Sequence, residues 1–283
     1  VTSGVRRLSA VAGVFYPNDK LELNKLLELS FRDDKYGPGK IPPATSPKQK
    51  IYGLVSPHAG YIYSGSVAAN GFYQISSSTF DDVVMIGPNH YGIGTGVATT
   101  REGSWETPLG QVEVNSDLAL GISRESGLVD FDDFAHSKDH CLEVQIPFLQ
   151  FIRKDPVKIV PIIVMMQDKK TASELGKSVA QCTINTDTLL IASSDFTHYE
   201  PNAEAHRKDN ELIKTILSLD VSAFYSVLER LNVSACGYGA IASVMTAVKI
   251  LGATKGVLLK YATSGDVKGD TRSVVGYSSI IFQ

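Results

Sequence analysis

Cysteine is scarce in this chain. Cys141, Cys182 and Cys236 are the only three in 283 residues, too few and too scattered for a disulfide framework. Thiols left free fit a reducing compartment, so a cytoplasmic location is expected. Long hydrophobic runs are also missing. No apolar stretch approaches the ~20 residues that a membrane span requires. The opening VTSGVRRLSAVAGVFYPND has no continuous apolar segment or cleavage pattern before Pro17, so no signal peptide is expected. Charge of one sign is lacking too. A net charge of -3 argues against a broad nucleic-acid surface. Nucleotide fingerprints are absent as well. GPNHYGIGTG (87–96) follows an apolar run but carries no Lys-Ser/Thr pair, and no G-x-G-x-x-G opens a helix.

What is present is an ordinary globular composition, 43% hydrophobic and 20% charged, over a length that suits one α/β domain spanning 1–283. Val- and Ile-rich runs recur: IYGLVS (51–56), DVVMIG (82–87), VKIVPIIVMM (157–166), DTLLIASS (187–194), GVLLKYAT (256–263) and VVGYSSIIF (274–282). Continuous runs of this length suit strands covered on both faces. Helical patterns lie around and between them, at 19–31, 66–75, 116–126, 170–182, 203–219, 221–231 and 238–251. Asp19 or Asn18 would cap the first. The charged, Pro- and Gly-rich stretch 33–49 reads as a surface loop. Strands alternating with helices predict a three-layer α/β/α fold, with a mostly parallel or mixed central sheet.

In such sheets ligands bind beyond the carboxyl ends of the strands. The polar tails of the runs hold the chemistry. His58 lies in SPHAGYIYSG, His90 in IGPNHYG, and His198 follows Asp195 in SSDFTHY. His140 lies in KDHCLEVQIPFL with Glu143 three residues on, a spacing that shares a face if the segment is helical. Of six histidines, these four sit in polar, motif-like segments. His206, in EAHRKDNE, reads as exposed. Taken singly, a strand-tip histidine fits a turn residue as well as a ligand. Asp195 likewise fits a helix cap, and Glu143 a solvated face. Taken together, imidazoles and a carboxylate at neighbouring tips make a metal site with open positions. Cys236 precedes the small-residue helix of ACGYGAI, where a thiol is biased toward thiolate and becomes a better ligand or nucleophile. Simple packing is the alternative, and is the reading for Cys141 and Cys182. Tyr61, Tyr63 and Tyr91 would line a substrate pocket or pack at the sheet rim.

AGVFYP, SPHAGYIYSG, IGPNHYG, HCLEVQIPFL, SSDFTHY and ACGYGAI, in that order, resemble the Memo family over residues 10–283. Memo-like proteins are similar in fold to the LigB-type class III extradiol dioxygenases, which hold non-haem Fe(II) with two histidines and a glutamate. The resemblance implies a LigB-like fold with His58 and His90 as metal ligands. It places Cys236 where those enzymes have the glutamate and Asp195 as a further ligand. It makes His198 the acid–base group, with His140 and Glu143 orienting substrate or water. A thiolate in place of a carboxylate favours softer metals, while two imidazoles keep Fe(II) open. The cofactor expected is therefore Fe(II) or Cu, with Zn a lesser candidate. A metal-dependent, dioxygenase-like redox enzyme is the leading expectation. Peptide or ligand binding in the same pocket and metal-assisted hydrolysis are the alternatives, because fold similarity does not carry activity. The resemblance also implies radical-SAM and AMMECR-type proteins as partners but identifies no substrate, and the ligand expected is an unidentified small molecule or peptide.

Overall fold

The computed structural model describes residues 5–43, 50–153 and 155–283. Among these, twelve strands form two sheets. In chain order the strands are β1 (Arg6–Arg7), β2 (Gly53–Ser56), β3 (Asp82–Pro88), β4 (Val97–Thr99), β5 (Ser104–Thr107), β6 (Gly110–Glu113), β7 (Asp130–Phe131), β8 (Lys158–Val164), β9 (Thr188–Ser193), β10 (His198–Glu200), β11 (Gly256–Thr263) and β12 (Val274–Phe282). In the nine-stranded main sheet, β2, β9, β3 and β8 run parallel side by side. β12 is antiparallel to β2 and β11, and β4 is antiparallel to β8. The sheet is mixed, with a parallel centre. β1, β5 and β6 form a separate small sheet.

The apolar runs dictate two covered faces. Successive residues of a strand point to opposite sides. In β3, Val83 and Met85 pack with Leu27, Phe72 and Phe148, whereas Val84 and Ile86 pack with Leu175, Leu212 and Val244. The helices Lys20–Arg32, Tyr61–Ile75 and Ile146–Ile152 cover the first face. Lys169–Thr183, Asn202–Leu217 and Tyr238–Leu251 cover the second. This is the three-layer α/β/α fold that the alternating pattern predicts. Two helices of the second face meet at very short range, where a Cβ added at Gly176 would stand 2.4 Å from the Ser243 carbonyl oxygen. The small residues of Tyr238–Leu251 have this packing reason.

Local signals are honoured where they exist. Asp19 caps Lys20–Arg32 by accepting from the Leu21 and Glu22 amides at 2.8 and 3.0 Å. The helix expected from residue 66 instead starts at Tyr61, although its N-cap Gly60 offers no side-chain acceptor. The Tyr61 amide donates to the Phe15 carbonyl at 2.9 Å instead. A partner more than forty residues away thus replaces the cap, and no local pattern could announce it. His206 is not simply exposed, since its Nε2 lies 2.8 Å from Asp266 Oδ2. Of the loop expected at 33–49, residues 44–49 lie outside the described residues. No described helix is long and apolar enough to cross a membrane.

Candidate metal centre

Three adjacent strands aim their carboxyl ends at one point. β2 and β9 are in register at Ser56 and Ser193, and β9 lies beside β3. β2 leads into Pro57-His58, β3 into Asn89-His90, and β9 into Ser194-Asp195. The His58 and His90 ring centroids lie 5.1 Å apart. His140 arrives from the irregular segment before Glu143, with ring centroids 5.3 Å from His58 and 4.6 Å from His90. One potential ligand atom from each of the three imidazoles lies within 4.8 Å of the others. The structure therefore brings His140 into the centre, beside the two strand-tip histidines.

Hydrogen bonds fix the tautomers of the first two rings. Ser193 Oγ donates its single proton to the Cys141 carbonyl at 2.6 Å and accepts from Gln145 Nε2 at 2.9 Å. Toward His58 Nδ1, 2.9 Å away, it can only accept. Nδ1 therefore carries the proton and Nε2 keeps its lone pair. His90 Nδ1 faces Asp139 Oδ1 at 3.1 Å, and the His90 amide donates to Asp139 Oδ2 at 2.7 Å. Burial alone would raise the Asp139 carboxyl. The hydrogen bond and charge of His90, with the Cys141 and His90 amides, outweigh it and hold the group well below the carboxylate range. An ionised Asp139 makes His90 Nδ1 the donor and leaves Nε2 as the nitrogen available for a metal. This carboxylate–imidazole arrangement is the one that orients ligating histidines. Burial, and then the neighbouring His140 and His90, push His58 well below an ordinary imidazole. Burial and His90 lower His140 to about 4. Both are neutral at pH 7, the form that binds metal.

Cys236 sits just before the helix Tyr238–Leu251 and reaches the same place from the second face. Its Sγ lies 3.1 Å from His58 Nε2 and 3.3 Å from the Asp195 amide. The bias toward thiolate expected from the helix terminus is overturned. Burial first, and then the Asp195 charge, push this thiol up. Asp195 is itself raised to about 6 by burial, opposed by the His58 amide that donates to its Oδ1 at 2.8 Å. Its Oδ2 stands 4.0 Å from His58 Nε2. His198 also lines the cavity, and its Nδ1 lies 2.9 Å from the Ser234 carbonyl. A carbonyl only accepts, so Nδ1 carries a proton and Nε2 is the nitrogen left for other partners.

Glu143 does not face this centre. Its carboxylate is fully buried and accepts from Arg7 Nη1 at 2.7 Å, the Ala10 and Val11 amides at 2.8 and 3.1 Å, and Tyr16 OH at 2.6 Å. The i,i+3 reasoning fails because Glu143 opens a short 3-10 turn and His140 precedes it. The expected role in orienting substrate therefore has no geometric support, and Glu143 ties down the N-terminal segment instead.

A cavity of about 570 Å³ opens over the histidines, walled by Phe15, Tyr63, Tyr199, Val275 and Tyr277. Tyr63 lines it as expected. Tyr61 does not, because it is buried and donates to the Val144 carbonyl at 2.6 Å. Tyr91 is exposed on the loop after His90 and lies outside the lining. Asp139, Ser193 and Phe15 belong to the site as well, although no motif pointed to them. Only Asp139, adjacent to His140 in KDHC, carried a visible signal. Ser193 ends an apolar run, and Phe15 is distant in sequence.

The Memo-like protein family model matches residues 7–281. A MEMO1 family protein of Nitrosopumilus maritimus is 51% identical, over 98% of this chain and 99% of its own. One from Methanopyrus kandleri is 45% identical over 99% of both chains. One from Sulfurisphaera tokodaii is 43% identical over 98% of this chain and 99% of its own. With this similarity running almost end to end, the chain belongs to the Memo-like family.

Proposed function

We propose that this chain is a metal-dependent oxidoreductase whose ion is held by His58, His90 and His140, with Cys236 alongside. The observation that carries the reading is the convergence of three imidazoles, one ligand atom of each within 4.8 Å of the others, two of them held through Nδ1 by Ser193 and Asp139. The donor set fits a transition ion. Three imidazoles with a sulfur 3.1 Å from His58 Nε2 make a donor set open to Fe(II), Cu or Zn, and the redox reading takes Fe(II) or Cu. When bound, the ion would supply one-electron chemistry and polarise a substrate oxygen. The chain supplies the rest. Aromatic walls hold an apolar substrate and exclude water, and His198 Nε2 takes up or returns a proton across the cavity. The test is metal content after anaerobic, tag-free purification. Near-stoichiometric Fe or Cu, lost in a His58→Ala/His90→Ala variant, is expected. No metal after reconstitution would sink the reading, and Zn alone would remove its redox part.

A further inference from the structure

His140 differs from the other two histidines because no strand tip carries it. It sits on residues 137–142, between the short helix Asp133–His136 and the 3-10 turn at Glu143. The backbone groups of such an irregular segment need partners from elsewhere in the chain. One side chain supplies two of them. Arg7 Nε donates to the His136 carbonyl at 2.8 Å, and Arg7 Nη2 to the Asp139 carbonyl at 2.7 Å. Arg7 Nη1 meets Glu143 Oε2 at 2.7 Å, with the Arg7 and Glu143 side chains 9% and 0% exposed. The guanidinium thus grips both flanks of His140 and the residue before it, which is the Asp139 that orients His90. Trp105 backs it, 4.1 Å from ring centroid to guanidinium carbon. Glu143 then holds Ala10, Val11 and Tyr16, and the same N-terminal segment lays Phe15 against His140 at 4.5 Å between rings.

We propose that Arg7 and Glu143 are positioning residues for the metal centre, a clamp that sets His140 and Asp139 from the N-terminal segment. Neither touches the cavity. The guanidinium fork suits the task because its N–H groups point in fixed directions toward separate acceptors, which a lysine cannot reproduce. The inference rests on the metal-site reading above, and its signature differs from that of a residue that only stabilises the fold. Removing the clamp should cost one imidazole ligand while the protein stays folded.

Cobalt(II) is a suitable probe, because its visible absorption reports ligand number and type. The wild-type protein, Arg7→Lys, the charge-paired double variant Arg7→Met/Glu143→Gln, and His140→Ala would be titrated with Co(II) against a chelator. Circular dichroism would confirm folding. The double variant removes both buried charges together, which avoids stranding either one. Affinity in the double variant should fall by about tenfold to a hundredfold, the usual effect of losing an outer partner of a ligand. Its Co(II) spectrum should match that of His140→Ala, and Arg7→Lys should lie between it and wild type. A folded double variant with wild-type affinity and spectrum would overturn the clamp. Should the double variant not fold, a folded Arg7→Lys with unchanged affinity would overturn it equally. No Co(II) binding by the wild type would instead remove the metal reading beneath it.

Discussion

Replacing Asp139 with asparagine exchanges one oxygen for an NH2 and leaves the volume nearly unchanged. The carboxylate is 3% exposed and receives the His90 amide, His90 Nδ1 and the Cys141 amide, at 2.7, 3.1 and 3.0 Å. An asparagine has a single acceptor oxygen for these three donors. Its NH2 would face an N–H, and the His90 ring would lose the anion that fixes its tautomer. Two effects should follow. Hydrogen bonds to a charged group are worth ~1.5–3 kcal/mol each, so losing one should destabilise the protein by about 1.5–3 kcal/mol in urea unfolding. Metal affinity should drop about tenfold to a hundredfold, or about 1.4–2.7 kcal/mol, in a chelator competition at pH 7. The second number is the diagnostic one. A destabilised Asp139→Asn protein that binds metal as tightly as wild type would show that His90 needs no orienting carboxylate, and the tautomer argument would be wrong.

Ser193→Ala removes the acceptor for His58 Nδ1 and the donor to the Cys141 carbonyl. It should cost about 1–3 kcal/mol of stability and weaken metal binding, whereas an unchanged metal affinity would separate Ser193 from the centre. His136 is buried, and burial followed by the Arg7 charge lowers it to about 4. Its folded pKa lies below the unfolded value of 6.5. Its contribution is therefore complete above pH 6.5 and is lost as pH falls toward 4, with about 1.4 kcal/mol gone by pH 5.5. Urea midpoints from pH 7 to 4.5 should show this slope in wild type and a shallower one in His136→Phe. Gly176→Ala should destabilise by about 1–3 kcal/mol although alanine is the better helix former, because its Cβ would meet backbone oxygen at 2.4 Å. A raised Tm for that variant would mean the two helices separate without penalty.

The parallel centre of the sheet was legible because its strands are buried on both faces and so are apolar without interruption. DVVMIG needs no partner to be recognised. The short strands β4, β5, β6 and β7 were not legible. They have two to four residues each, and their pairing comes from tertiary context. The first turn of Tyr61–Ile75 was hidden for the same reason, since Phe15 supplies its missing acceptor. At the site, His58 and His90 were visible because an apolar run ends in each motif. The spacing of His140 and Glu143 misled, because it assumed a regular helix where the backbone is irregular. The helix-terminus argument for Cys236 misled because burial outweighs a terminal dipole when the sulfur is removed from water.

The most direct measurement is a crystal structure of the anaerobically reconstituted protein, with anomalous maps collected across the metal absorption edge. One Fe or Cu peak is expected at the base of the cavity, ~2.0–2.2 Å from Nε2 of both His58 and His90 and bonded to an imidazole nitrogen of His140. An anomalous peak elsewhere, or none at these histidines after full reconstitution, would contradict the metal centre on which the functional account stands.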